Sequence, residues 1–201
     1  MSDLRNSPSL VAPALADASA VEVWDLPLRL FHWTLAAAVL TAWFSANVFD
    51  TVHEVSGYTV LALIAFRLVW GFTGTRNSRF ANFVPRPAVA LRYLRNLAYG
   101  RATRYLGHNP AGAAMIVTLL LALAVCSISG WMQITYRFFG VTWVEQVHSY
   151  SADLVLILAI VHLLGVLLTS ALHRENLVRA MITGRKELRT ESRSADAPAD
   201  P

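Results

Sequence analysis

Four histidines are the residues of this 201-residue chain best suited to chemistry. His148 and His162 lie fourteen residues apart in one long apolar segment, and His32 and His53 lie near the starts of two other apolar stretches. Fourteen residues make close to four helical turns, so both imidazoles leave the same face of a helix, roughly 21 Å apart. Ionisable side chains inside membrane helices usually face a functional interior. Two imidazoles on one helix, each with a candidate partner elsewhere, indicate axial ligation of two stacked haems.

The composition places these histidines in a membrane protein. The chain is 55% hydrophobic and 15% charged, whereas soluble proteins have about 25% charged residues. Its net charge of +4 comes from basic residues beside apolar segments. We interpret this charge as a sign of lipid contact and of membrane orientation, and not of nucleic-acid binding. The single cysteine, Cys126, excludes a thiolate metal cluster and a CxxCH haem attachment site. Any haem is therefore expected to be non-covalent, b-type haem, and Cys126 is interpreted as a small buried hydrophobic residue.

Four apolar stretches predict four transmembrane helices, because each is near or above the roughly 20 residues that cross a bilayer. These stretches are Leu30 to Val48, Val52 to Phe72, Ala111 to Ile134, and Val147 to Leu172. The predicted fold is an all-α integral membrane four-helix bundle with up-down-up-down topology, over residues 21–188. Residues 1–20 and 189–201 are predicted to be flexible tails.

Charged residues in the loops predict the orientation. Basic residues are concentrated in the loop between spans two and three and in the C-terminal flank: Arg76, Arg79, Arg86, Arg92, Arg95, Arg101, Arg104, Arg174, Arg179, Arg185, Lys186 and Arg189. The loops after spans one and three contain one basic residue, Arg137. The positive-inside rule then predicts that both termini and the long middle loop lie in the cytoplasm. The segment from Pro87 to Tyr99 predicts a short helix on the cytoplasmic membrane surface, with a plain loop as the alternative.

This topology pairs the histidines by depth. His53 and His148 lie on the periplasmic side and are predicted to ligate one haem iron; His32 and His162 lie toward the cytoplasm and are predicted to ligate the other. His32 is roughly 25 Å from the outer end of span one, which matches the depth of His162 within ordinary helix tilt. Interfacial or core histidines without a ligand role are the alternative. Zinc is disfavoured, because two histidines without a carboxylate or thiolate make a poor zinc site.

Two further histidines are weaker candidates. His173 could replace His162, but it lies roughly 37 Å below His148 by the same helical rise, at or beyond the inner surface. His108 belongs to the stretch YLGHNPAG and is predicted to lie in a cytoplasmic loop. A turn or a lipid-headgroup contact is expected of His108, and contact with a haem propionate or a quinone headgroup is left open.

Two arginines and two glycines are predicted to support the haem sites. Arg67 lies fourteen residues after His53 on the same helix face, where it either neutralises haem propionates or extends to the membrane interface. Arg29, one turn before His32, is predicted to contact propionates in the same way. Gly57 and Gly165 are predicted to leave room beside the porphyrin, although glycine also serves ordinary helix packing in membranes.

Several stretches together resemble the bacterial cytochrome b561 family, which includes the b-type cytochrome subunits of nickel–iron hydrogenases. They are VWDLPLRLFHW (Val23 to Trp33), HEVSGY, FRLVWGFTG and YLGHNPAG, followed by the two histidines of span four. The resemblance covers residues 20–188, and it implies a membrane protein of four or sometimes five helices with two haem b groups. Carried over by motif, the implied iron ligands are His32, His53, His148 and His162.

The resemblance implies electron transfer between the quinone pool and a redox partner. Because no fifth span is present and the loop from Thr135 to Gln146 is short, we expect a small di-haem cytochrome. It is expected to exchange electrons with quinone or quinol and with a soluble cytochrome c, a flavoprotein or another periplasmic redox protein. The alternative is a membrane anchor and electron-relay subunit of a periplasmic oxidoreductase such as a hydrogenase. A non-redox transporter or sensor is the third hypothesis, and the lack of an acidic residue in the middle of any span argues against it.

Overall fold

The computed structural model describes residues 20–75, 78–99, 101, 109–173 and 175–187. These residues form the helices α1 (Leu26–Ser45), α2 (Asp50–Thr73), α3 (Phe80–Phe83), α4 (Pro87–Ala98), α5 (Pro110–Gln133), α6 (Thr142–His173) and α7 (Leu177–Thr183), and the strands β1 (Ala20–Glu22) and β2 (Arg185–Glu187). The predicted flexible tails, apart from Ala20, lie outside the described residues, as do His108 and the side chain of His173.

The four predicted spans correspond to α1, α2, α5 and α6, with ends that differ by a few residues. Three of these helices, α2, α5 and α6, are long and apolar enough to cross a membrane. The first, α1, has 20 residues but carries Arg29 and His32 in its first two turns. These two polar residues lower its average apolar character, and α1 is not among the span candidates by length and composition.

The long helices pack in chain order. Close backbone packing joins α1 to α2, α2 to α5 and α5 to α6. The core between them is built from small and branched apolar side chains: Val60, Ile64, Ala122, Leu123 and Val155. In the described part of the chain, α6 makes no comparably extensive backbone contact with α1 or α2. The bundle is therefore packed closely on one side and more loosely where α6 approaches the first two helices.

Asp25 fixes the start of α1. One carboxylate oxygen accepts the backbone N–H of Leu28 at 2.9 Å, which caps the helix. The other accepts hydrogen bonds from Thr75 at 2.6 Å, Ser78 at 2.7 Å and Trp70 at 3.2 Å. Burial by itself raises the pKa of Asp25, but these hydrogen bonds outweigh it and leave the pKa below its ordinary value. One carboxylate thus ties the start of α1 to the end of α2.

A small antiparallel sheet joins the two flanks of the bundle. Ala20 of β1 pairs with Glu187 of β2, and Glu22 pairs with Arg185. The Trp33 indole N–H of α1 donates to the Met181 carbonyl of α7 at 3.4 Å. The all-helical prediction missed this sheet, because three-residue strands are too short to show an alternating pattern. We call this end of the bundle, marked by β1 and β2, the strand end.

The opposite end, marked by the connections 46–49 and 134–141, is called the turn end. The predicted surface helix from Pro87 to Tyr99 is present as α4, which lies in the connection between α2 and α5 at the strand end. It packs against α5.

Candidate functional site

The structure brings the four predicted histidines together in two pairs. At the strand end, the rings of His32 on α1 and His162 on α6 have centres 6.5 Å apart. At the turn end, the rings of His53 on α2 and His148 on α6 have centres 6.0 Å apart. Both partners on α6 leave the same face of one continuous helix, which separates the two levels by about 21 Å.

Both ring separations fit a single metal ion between two imidazoles. A coordinating imidazole nitrogen lies about 2.0–2.1 Å from its metal and about 1.1 Å from its own ring centre, so two opposed rings have centres roughly 6.3 Å apart. The observed separations of 6.0 and 6.5 Å lie on either side of this value. The ring planes meet at 88° in the turn-end pair and at 56° in the strand-end pair.

The turn-end pair is oriented by backbone carbonyls. Nδ1 of His53 lies 2.8 Å from the Ala42 carbonyl oxygen of α1, and Nδ1 of His148 lies 2.9 Å from the Cys126 carbonyl oxygen of α5. A carbonyl oxygen can only accept, so in each ring Nδ1 is the donor, and in the neutral form of the imidazole Nε2 is the nitrogen with the lone pair. This is the usual arrangement of metal-binding histidines, whose second ring nitrogen donates to an acceptor that fixes the tautomer and the ring plane.

Gly130 of α5 gives the His148 ring its space. A Cβ atom at this position would lie 2.8 Å from Cε1 and 3.0 Å from Nδ1 of His148. Contacts this short do not occur between real side chains, so any other residue would displace the imidazole. The sequence-based predictions missed both Gly130 and the Cys126 carbonyl, because the side of α5 that faces α6 follows from packing and not from a local pattern.

Among the described residues, the strand-end pair has no comparable carbonyl partners. Nδ1 of His32 is buried without a hydrogen-bond partner in the described part of the chain, and the His32 and Trp33 rings are perpendicular, with centres 5.2 Å apart. Nε of Arg29, one turn earlier, is also buried without a partner, while its Nη2 donates to the Ile182 carbonyl. A buried guanidinium N–H without an acceptor is costly. The Arg29 side chain is therefore suited to a bound anionic group such as a propionate.

Arg67 is buried near the end of α2. Its side chain is 2% exposed, Nη1 donates to the Ser78 carbonyl at 3.0 Å, and the guanidinium lies over the Phe80 ring, 4.6 Å from its centre. A cation over an aromatic face is stabilised electrostatically. The buried position does not match extension to an exposed interface, and a role toward propionates stays a prediction.

Both predicted glycines border open space. A Cβ atom at Gly57 of α2 or at Gly165 of α6 would meet nothing within 4 Å. The rings of His53 and His148 connect the same two helices, α2 and α6. These helices lack close backbone packing with each other. The loosely packed side of the bundle is therefore compatible with a flat group inserted between α6 and the first two helices.

The donor set at each level consists of two imidazoles. Within the ranges that the structure describes, no three His, Cys, Asp or Glu side chains come together to hold a metal ion. Zinc sites normally use three or four protein ligands. Haem iron needs only axial ligands from the protein, because the porphyrin supplies the other four donors. The residues present therefore fit haem at both levels.

Comparison with protein families identifies the lineage of the chain. The family model of prokaryotic cytochrome b561 matches residues 23–184. The chain belongs to the prokaryotic cytochrome b561 family. It is a membrane cytochrome b of electron transport, with haem b as its cofactor.

Curated relatives of this cytochrome b561 family member have one description in common, that of a probable Ni/Fe-hydrogenase B-type cytochrome subunit. The relative from Rhodobacter capsulatus is 24% identical over 86% of this chain and 84% of its own length. The one from Cupriavidus necator is 26% identical over 82% of this chain and 86% of its own length. The one from Rhizobium leguminosarum bv. viciae is 21% identical, over 83% and 89% respectively. No solved structure matches the chain significantly.

Proposed function

We propose that this cytochrome carries two haem b groups and relays electrons across the bacterial inner membrane between a periplasmic oxidoreductase and the quinone pool. One haem is held by His53 and His148, the other by His32 and His162. The proposal rests on the two ring separations of 6.0 and 6.5 Å, which occur at two levels of helix α6. Each separation suits an iron between two imidazoles.

The proposal includes α1 as a fourth membrane-crossing helix. His32 of α1 reaches the same level as His162 of α6, and the Ala42 carbonyl of α1 reaches the turn-end pair. Helix α1 therefore runs along both levels of the bundle. The two polar residues that lower its apolar character, Arg29 and His32, face a propionate and an iron in this proposal, and the cost of burying them falls accordingly.

Haem b, when bound, supplies a one-electron iron couple at each level. The chain holds and tunes that couple. The Ala42 and Cys126 carbonyls keep Nε2 of the turn-end histidines available for the iron, and their hydrogen bonds make these imidazoles stronger donors. Arg29 places positive charge beside the strand-end level, where it would receive a propionate through its unpartnered Nε.

The relatives favour an anchor and relay subunit over a free-standing cytochrome. Each covers more than four fifths of this chain and is described as a subunit that belongs with a hydrogenase. The short loop predicted from Thr135 to Gln146, which favoured a small independent cytochrome, does not separate the two functions. We therefore place the hydrogenase-type partner ahead of a soluble cytochrome c or a flavoprotein. The strand end faces the cytoplasm in this proposal, as the arginine-rich segments require.

Two matched variants test the haem sites. Wild-type protein should show b-type absorption bands and about two haems per chain in a pyridine haemochrome assay. His148→Ala should remove the turn-end haem only, and His162→Ala the strand-end haem only, so each variant should retain about one haem with a distinct spectrum. A wild-type stoichiometry of one haem, or the loss of both haems in both variants with the helical content intact, would refute the assignment.

A second experiment tests the partner. Solubilisation of native membranes in a mild detergent should leave the cytochrome attached to an oxidoreductase in a fixed stoichiometry if it is an anchor subunit. Reduction of the purified complex by the substrate of that enzyme, followed by re-oxidation with a quinone analogue, should involve both haems. A cytochrome that purifies alone and is reduced directly by quinol would favour the free-standing function.

A further inference from the structure

Helix α4 presents three different stripes along its length. Ala90 and Tyr93 are buried, at 8% and 6% exposure, on the side packed against α5. Leu91 and Leu94 are 70% and 49% exposed. At 3.6 residues per turn, residues three apart lie on the same side of a helix, so each of these pairs forms a stripe.

The third stripe is basic. Arg92 and Arg95 are exposed. Each directly follows one of the two leucines in the sequence, so the arginines lie about 100° further round the helix axis. Arg86 and Arg101, which flank α4, are also exposed. The helix itself, PAVALRYLRNLA, contains no acidic residue. The leucine stripe thus lies between the side packed on the bundle and a positively charged side.

The position of α4 determines what can cover the leucines. Its packed side rests on α5, which is long and apolar enough to cross a membrane. A helix held against such a span at the end of the bundle lies at the level of the lipid headgroups. Interfacial helices of this type place apolar residues among the upper acyl chains and arginines among the phosphates. Anionic lipids add an attraction for each basic residue near the surface.

We propose that α4 is an interfacial helix that binds anionic phospholipids of the leaflet at the strand end. Leu91 and Leu94 enter the acyl region, and Arg92 and Arg95 contact the headgroup phosphates. The lipid contact holds α4 against α5 and so fixes the connection between α2 and α5. This inference does not depend on haem binding, since neither α4 nor its basic residues contribute to the histidine pairs.

A pair of spin labels on the reconstituted full-length protein tests the depth of the leucine stripe. Leu91→Cys and Ala88→Cys each receive a nitroxide; Ala88 is exposed and lies on the arginine side of the same helix. Wild-type protein, whose one cysteine is Cys126, measures the labelling background. The Leu91 label should be relaxed mainly by oxygen, which concentrates in lipid, and the Ala88 label mainly by a water-soluble nickel complex. Equal access of the nickel complex to both labels would overturn the proposal. It would indicate that the leucine stripe is exposed to water and binds a soluble protein instead of lipid.

Lipid selectivity tests the basic stripe. Spin-labelled phosphatidylglycerol and phosphatidylcholine are compared for association with wild type, with Arg92→Gln/Arg95→Gln, and with the charge-preserving Arg92→Lys/Arg95→Lys. The preference for phosphatidylglycerol should fall by roughly twofold or more in the glutamine variant, persist in the lysine variant, and weaken in high salt. An unchanged preference in the glutamine variant, with far-UV circular dichroism like that of wild type, would show that α4 does not select anionic lipid.

Discussion

The turn-end and strand-end pairs have the same ligand type and nearly the same ring separation, yet their surroundings differ. At the turn end, each imidazole donates Nδ1–H to a carbonyl of a neighbouring helix, and Gly130 makes room for the His148 ring. At the strand end, Nδ1 of His32 and Nε of Arg29, one turn earlier on α1, are buried without a partner among the described residues. Backbone carbonyls orient both imidazoles of the turn-end site, whereas the strand-end site has no such contact within the ranges that the structure describes and leaves the Arg29 Nε–H available to an anionic group.

Among the variants that test this comparison, Gly130→Ala should have the largest effect. The added Cβ would lie 2.8 Å from Cε1 of His148, so the imidazole must move and its Nδ1–H bond to the Cys126 carbonyl must weaken. We expect most of the turn-end haem to be lost and the strand-end haem to be retained, as measured by pyridine haemochrome and low-temperature absorption spectra.

Gly165→Ala is the matched control for that variant. It is the same substitution in a neighbouring helix, where the added Cβ would meet no protein atom within 4 Å. It lies three residues after His162, so the turn-end spectrum should remain that of wild type. Loss of the turn-end haem in both variants would mean that general helix disruption, and not the His148 ring, explains the result.

The second effect concerns the two midpoint potentials. Imidazoles that donate Nδ1–H to a carbonyl are stronger donors and favour ferric iron, whereas the positive charge of Arg29 favours ferrous iron at the strand end. The turn-end haem should therefore have the lower potential, by on the order of 60 mV, which corresponds to a tenfold ratio for a one-electron couple. A redox titration of wild type, assigned with His148→Ala and His162→Ala, measures both values. The reverse order would show that these two influences do not control the difference.

The third effect lies at the strand end, where Asp25 joins α1 to the segment after α2. Asp25→Asn keeps the shape but removes an acceptor that serves Thr75, Ser78 and Trp70. We expect a loss of about 1–3 kcal/mol in the free energy of unfolding, read from thermal unfolding in detergent, with the turn-end spectrum unchanged.

The pH dependence of stability checks the charge of Asp25. Because the pKa of the folded state lies below the ordinary value of 3.8, the carboxylate stabilises the fold above that value and loses its contribution as the pH falls below it. Wild type and Asp25→Asn should therefore differ most in unfolding temperature at neutral pH, and the difference should shrink as the pH falls below 3.8 and through the lowered pKa of the folded state. A constant difference across this range would mean that the ionised form of Asp25 is not the stabilising one.

The sequence predicts the long helices and the depths at which the histidines pair. It does not predict most of the contacts that surround the two histidine pairs. Long apolar runs and histidine spacing depend on length and period, which are local properties, so the ends of α2 and α5 and the pairing depths follow from them. The Cys126 carbonyl, Gly130 and the β1–β2 pairing depend on which helix faces meet, which no local pattern encodes. Asp25 had a readable signal, an acidic residue directly before a helix that starts with Leu-Pro, but its three further partners come from a distant segment. The contacts of Arg67 with Ser78 and Phe80 could not be predicted for the same reason, because both residues reach it through the fold.

The smallest effect should come from Trp33→Phe, and it would sharpen the contrast at the strand end. The indole N–H donates to the Met181 carbonyl at 3.4 Å, a long hydrogen bond, while the indole ring lies perpendicular to the His32 ring. Phenylalanine keeps most of the ring contact but lacks the N–H donor. The free energy of unfolding should therefore fall by only about 0.5 kcal/mol relative to wild type. If the cofactor organises the strand end, the strand-end haem should keep its occupancy and show at most a small change in absorption. A large loss of that haem would mean that the link between α1 and α7 positions His32, and that the strand end is as protein-organised as the turn end.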